Sequence, residues 1–147
     1  MTRSEDDGSA ELFRLVYDSV SRLPFGPKGD DEYQAILKVA RSRNAALEIT
    51  GVVYCDGAYF VQLLEGPADA VEGVFASILA DPRHEDIRVV ERGTAERRWF
   101  AKWNMASVTQ EQLTAMRHRK PDYPTLRPYR SAEMILSLSE VLSPQRF

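Results

Sequence analysis

Two apolar runs, ITGVVYC (49–55) and AYFVQLLEG (58–66), flank Asp56-Gly57 and constrain the fold more than any other stretch of the chain. Asp-Gly accepts the positive φ angles of a two-residue hairpin turn, so the runs are expected to be adjacent antiparallel strands. The second run is apolar on both sides, with Val61 and Leu63 opposing Phe60 and Leu64. A strand of that kind needs cover on both faces of its sheet.

The elements around the hairpin supply that cover. LFRLVY (12–17) has strand character, and a loop containing Pro24, Gly26, Pro27 and Gly29 leads to Asp30 and Asp31, which suit a helix N-cap. In the helix that follows, over 31–47, Tyr33, Ile36, Leu37, Ala40 and Asn44 share one face. Downstream, Val71, Val74, Phe75, Ile78 and Leu79 form a second helical stripe that ends near Asp81-Pro82. DIRVVERGTAE (86–96) reads as a fourth strand. RRWFAKWNMASV (97–108) reads as a fifth, with Trp99, Ala101, Trp103 and Met105 alternating along one side. The order βαββαββ with right-handed crossovers predicts a ferredoxin-like α+β sheet with one added strand and two helices on one face. Segments 111–118 and 131–142, either side of Pro121, Pro124 and Pro128, are expected to dock as C-terminal helices on the other face. The chain therefore divides into a flexible N-terminus (1–10), a core domain (11–108) and a helical extension (109–147).

Composition narrows the function classes. The 147 residues suit one domain, and a net charge of −3 provides no basic field for gripping phosphate backbones, which argues against direct nucleic-acid binding. The single cysteine, Cys55, excludes an internal disulfide and any cysteine-rich metal site. Without a signal-like start or a run of ~18 apolar residues, a cytoplasmic protein with no membrane span is expected.

Three polar residues stand on apolar faces. Gln62 lies between Phe60 and Leu64, Tyr17 alternates with Phe13 and Leu15, and Asn44 continues the first helical stripe. An unpartnered buried amide costs about 1 to 3 kcal/mol, so each needs hydrogen bonds. In the predicted strand order Tyr17 and Gln62 are neighbours beneath the helix that carries Asn44. They are either satisfied structural residues or the polar end of a small-molecule pocket between helices and sheet.

The segments LVYDS, ARSRNAALEITGVVYCDGAYFVQLLEG, ILADPRH and RRWFAKWNM, in that order over about residues 12–108, resemble the signature segments of the BLUF family of flavin photoreceptors. The resemblance implies a noncovalently bound flavin, normally FAD, with FMN or riboflavin as alternatives. Tyr17 resembles the family's redox-active tyrosine and Gln62 the glutamine that bridges it to the flavin. Asn44 resembles the asparagine that bonds the flavin carbonyl edge. Ser19 occupies the position that contacts Trp103 when that residue turns inward, and Trp103 and Met105 resemble the light-responsive fifth-strand pair. Ile36, Ala40 and Ile78 are expected to sandwich the ring, and Arg83 and His84 to lie near the ring and its ribityl-phosphate chain. Arg43 departs from the Asn or His usual before Asn44, and the PFGPKGDD loop is longer than usual.

The resemblance implies a mechanism as well. Blue light excites the flavin, Tyr17 gives it an electron and a proton, Gln62 changes orientation or tautomer, and the pair recombines. The altered hydrogen bonding then biases the fifth strand and the C-terminal helices, which signal to a protein partner. The chain is expected to act by binding and not as an enzyme, and an exposed sheet face with tail helices favours a homodimer or higher homo-oligomer. Rival readings are a flavin-free regulatory module sensing another small ligand and an acylphosphatase-like hydrolase. The loop after the first strand lacks the latter's pattern. Without the resemblance, Trp103 and Met105 read as core packing, His84 as a group at a helix C-terminus and Arg83 as a solvated side chain.

Overall fold

The computed structural model describes residues 11–55, 58–102 and 104–108. Strand β1 (Leu12–Ser21), helix α1 (Pro27–Leu47), β2 (Thr50–Cys55), β3 (Tyr59–Pro67), helix α2 (Ala68–Leu79), β4 (His84–Thr94) and β5 (Ala106–Val108) follow the expected βαββαββ order. The strands lie in the order β4-β1-β3-β2-β5. Neighbours among the first four run antiparallel, and β5 lies parallel to β2. The Asp56-Gly57 turn falls outside the described residues, but the strands it was expected to join pair from Thr50↔Glu65 to Cys55↔Phe60. Gly51 permits this pairing, because a Cβ there would stand 1.9 Å from the Leu63 carbonyl oxygen.

Helix α1 starts earlier than its Asp30-Asp31 signal. Gly26 takes the N-cap position at φ 90°, a conformation that favours glycine, and Pro27 presets the first helical φ. Asp30 thus sits within the first turn, where its carboxylate still favours the helix N-terminus. Glu48 ends the helix in the left-handed conformation, and the Ile49 N–H donates to the Asn44 carbonyl at 2.8 Å as the chain turns into β2.

The core between helices and sheet contains Leu15, Tyr17, Val53, Phe60 and Leu64 from the strands, with Leu37 and Ala40 from α1 and Val71, Val74 and Phe75 from α2. Burying each large apolar side chain contributes about 1.5 to 3 kcal/mol, which is what fixes both helices on this face. Leu79, expected on the buried stripe, is 54% exposed, because α2 ends at that residue and packing stops with Ile78. On the opposite face Val16, Val52, Val61 and Leu63 are also fully buried. The tail segments expected to cover them, and the expected 1–10 terminus, lie outside the described residues.

The expected fifth strand over 97–108 is reduced to Ala106–Val108, paired with Val52, Val53 and Tyr54. Residues 97–102, 104 and 105 lie in no strand, and in this stretch side chains capture backbone donors: the Trp99 and Phe100 N–H groups donate to the Glu65 carboxylate at 2.9 and 2.6 Å. A backbone donor used in this way cannot join a strand ladder. The alternation of apolar residues there does not mark a strand, and Met105 precedes β5 instead of lying in it.

Candidate functional site

Antiparallel pairing sets Tyr17 of β1 directly opposite Gln62 of β3. Strand β4 shifts register against β1 on either side of Tyr17, between Val16 and Tyr17 and again between Asp18 and Val20. Such irregularities locally re-aim side chains and commonly adjoin functional positions.

Tyr17 and Gln62 are both buried, and the Tyr17 hydroxyl donates a short hydrogen bond to Gln62 Oε1. Burial pushes the Tyr17 phenol well above its ordinary value of 10, the Asp81 carboxylate adds to that rise, and Arg43 opposes it. The phenol is therefore a proton donor at neutral pH. The other end of the amide, Gln62 Nε2, meets Met105 Sδ at 3.5 Å. Thioether sulfur is a weak acceptor, so the amide is held firmly at one end and loosely at the other.

These groups floor a cleft of about 130 Å³. Ile36 and Ala40 of α1 line it together with Ile78 of α2, and Arg43, Asp81, Arg83 and His84 complete its polar lining. The sequence reading brought Tyr17, Gln62, Met105, Ile36, Ala40, Ile78, Arg83 and His84 to one site, and all of them line this cleft.

Asn44 and Ser19 are buried beside the cleft without lining it. Asn44 Nδ2 donates to the Asn104 carbonyl at 2.9 Å, and its Oδ1 accepts from Arg43 Nε at 3.1 Å. Ser19 Oγ pairs with His84 Nδ1 at 2.7 Å, while Trp103, its expected contact, lies outside the described residues. His84 Nε2 reaches the Ile78 carbonyl, also at 2.7 Å. A carbonyl can only accept, so Nε2 carries the proton. The His84 ring stands edge-on to Tyr17 and Phe60, each at 6.1 Å between centroids.

Arg83 is bound by Asp81 through Nε at 2.9 Å and Nη2 at 2.6 Å. This fork holds the Asp81 carboxyl below its ordinary value and the Arg83 guanidinium above its own.

Sequence reasoning passed over several contributors. Tyr33 lines the cleft and bonds Ser107 Oγ at 2.9 Å, with burial pushing its phenol up to about 12. Its place on the α1 stripe was visible, but its polar partner was not. Arg41 Nε donates to the Met105 carbonyl at 2.9 Å and Asn104 Nδ2 to the Ile49 carbonyl at 3.1 Å. No periodicity or motif signals such side-chain-to-backbone links. Among the described residues no cluster of acidic, His or Cys side chains could hold a metal ion.

Residues 12–106 match the family model described as sensors of blue-light using FAD. Photoactivated adenylate cyclase subunit beta of Euglena longa is 36% identical over 107 residues, 72% of this chain but 12% of that protein. The blue light- and temperature-regulated antirepressor BluF of Escherichia coli K12 is 35% identical over 98 residues, 64% of this chain and 23% of that one. Among solved structures, the dark state of the BLUF protein BlrB superposes with a TM-score of 0.72 at 29% identity, covering 91% of this chain and 98% of BlrB. Klebsiella pneumoniae BlrP1 with FMN and cyclic diGMP gives 0.59 at 35% identity, covering 66% of this chain and 25% of that one. This chain thus spans a quarter or less of the length of the cyclase subunit, BluF and BlrP1 but nearly all of BlrB. The paired Tyr17 and Gln62 beneath a two-helix cleft and the family match over residues 12–106 agree: the chain belongs to the BLUF family of flavin-binding blue-light sensors.

Proposed function

We propose that this chain is a reversible blue-light switch whose reporter is the Gln62 amide, held between Tyr17 and Met105, and whose output leaves through residues 104–108 to a protein partner. The observation that carries it is the chain Tyr17 hydroxyl to Gln62 Oε1, Gln62 Nε2 to Met105 Sδ, on the floor of the cleft.

The lining fits a flavin. Its ring system is flat and largely apolar with one polar edge, and the cleft has aliphatic walls at Ile36, Ala40 and Ile78 with the Gln62 amide and Arg43 as polar groups. Arg83 would face an anionic ribityl-phosphate chain, and His84 would lie near the ring. Asn44 would use its second amide hydrogen, the first being committed to Asn104. FAD is the family's cofactor, and the FMN named for BlrP1 supports a pocket that grips the ring more than the tail.

When bound, the flavin supplies blue absorption and an excited state that accepts an electron. Tyr17 would be the residue placed to give that electron, its phenolic proton moving across the existing hydrogen bond onto Gln62 Oε1, with both returning to Tyr17 on recombination. Gln62 has two amide orientations with different partners. Reversed, its NH2 faces Tyr17 and its oxygen faces Met105, which loses its donor. Two arrangements whose balance light alters are what a signal requires. Ser19 keeps His84 in place beside Tyr17, and Trp103 with Met105 would report the change to residues 109–147, a segment we assign to partner contact and self-association.

A BLUF domain is a sensor and not an enzyme, and the cyclase activity named for the Euglena relatives belongs to their other domains. No helix among the described residues is long and apolar enough to cross a membrane. An absorption spectrum before and after blue illumination tests the reading. Tyr17→Phe should keep the flavin and lose the light-induced red shift; an unchanged shift in that variant refutes the assignment. A colourless protein that cannot be reconstituted with flavin would favour a module for another small ligand.

A further inference from the structure

Three residues beyond Gln62 on the same strand, Glu65 is fully buried on the opposite face of the sheet. Its carboxylate accepts from the Trp99 N–H at 2.9 Å, the Phe100 N–H at 2.6 Å, Thr50 Oγ1 at 3.2 Å and Arg14 Nη2 at 3.4 Å. Arg14, its register partner on β1, also donates to the Arg97 carbonyl at 2.6 Å and lays its guanidinium 3.5 Å from the centre of the Trp99 ring. Arg98 adds a further set of bonds, to Thr50 Oγ1 at 2.9 Å, the Glu65 carbonyl at 3.2 Å and the Glu48 carbonyl at 2.8 Å. Residues 97–100 are thereby pinned to β1, β2 and β3 at once.

We propose that Glu65 is a positioning residue for the light switch: it anchors residues 97–100 so that a displacement begun at Met105 is passed forward into β5 and not backward along the chain. The inference rests on the photoswitch reading above. Its physical basis is an asymmetry of attachment. On one side of Met105 lies an anchor of buried, charge-assisted bonds, which are the strong kind and resist rearrangement. On the other lies β5, a three-residue strand at the sheet edge that among the described residues pairs with β2 alone and is held besides by the neutral Tyr33–Ser107 hydrogen bond. A side chain pushed or released between a fixed point and a weak edge moves the weak edge. A buried carboxylate serving only to satisfy its neighbours would be indifferent to light. An anchor changes where the lit-state displacement goes.

The test is amide hydrogen exchange on the flavin-loaded full chain, dark and under blue light, with the absorption shift recorded on the same samples. In the native protein the Trp99 and Phe100 amides should be equally protected in both states while those of 106–108 change. In Glu65→Gln an NH2 group must face a backbone donor. The absorption shift should persist, but light should lower protection at Trp99 and Phe100 by about tenfold and diminish the change at 106–108. Thr50→Val, which removes one donor at similar volume, should give the same pattern at smaller amplitude and decides the matter if Glu65→Gln does not fold. Native Trp99 and Phe100 amides that lose protection on illumination overturn the anchor, as does a native-like light-dark difference at 106–108 in the variant that folds. Absence of any absorption shift in the native protein instead removes the photoswitch reading itself.

Discussion

Two cross-strand pairs on the same two strands, Tyr17↔Gln62 and Arg14↔Glu65, stand three residues apart on opposite faces of the sheet. The first is neutral, borders a cleft and ends in a weak sulfur contact. The second is ionic, fully buried at Glu65 and surrounded by donors. The difference teaches how one rigid ladder can carry both a movable and an immovable contact. A neutral amide can present either its oxygen or its NH2 to a hydroxyl neighbour, whereas a buried carboxylate among four donors can present only acceptors.

The contrast can be broken first at its stronger end. Glu65→Ala leaves the buried Arg14 with the part-exposed Glu91 carboxylate, 3.8 Å away, as its counter-charge and strands two backbone N–H groups, and should cost about 3 to 5 kcal/mol in urea unfolding. Gln62→Leu removes one neutral partner and should cost only about 1 to 3 kcal/mol, yet abolish the light-induced shift completely. A larger stability loss at Gln62 than at Glu65 would invert the assignment of anchor and switch.

Alkaline titration sharpens the cleft side. Burial raises the phenols of Tyr17 and Tyr33 in the folded state, Tyr33 to about 12. Groups whose folded values lie above the unfolded value of about 10 contribute stability that is complete below pH 10 and is lost as pH climbs through the folded value. The urea midpoint should therefore hold from pH 8 to 10 and fall steeply by pH 12. The smallest effect is expected at Met105→Leu, which keeps volume and costs less than about 1.5 kcal/mol. The absorption shift should survive there, while the rate of dark recovery changes because Gln62 has lost its sulfur acceptor. An unaltered recovery rate would mean that Met105 only fills space.

Much of this was legible in the chain itself. Period-two and period-three-or-four apolar spacing located all four antiparallel strands and both helices, since burial of a face must be written into the sequence that buries it. Tyr17 and Gln62 announced themselves as polar residues on apolar faces. The short β5 did not, because Trp99, Ala101, Trp103 and Met105 alternate in the sequence as a strand would while a distant carboxylate takes the Trp99 and Phe100 backbone donors. Likewise the start of α1 was set by Gly26 and Pro27 and not by the acidic pair that looked like its cap.

The sequence alone determined which faces are apolar, where the chain must turn and which polar side chains need partners, because these follow from local spacing and the cost of burying an unsatisfied group. Tertiary structure decided who those partners are. Gln62 meets Met105, Asn44 meets the Asn104 carbonyl and Glu65 meets the backbone of Trp99 and Phe100, across 43, 60 and about 35 residues respectively. Hydrogen bonds over such separations depend on strand register and helix placement, which only the packed whole can fix.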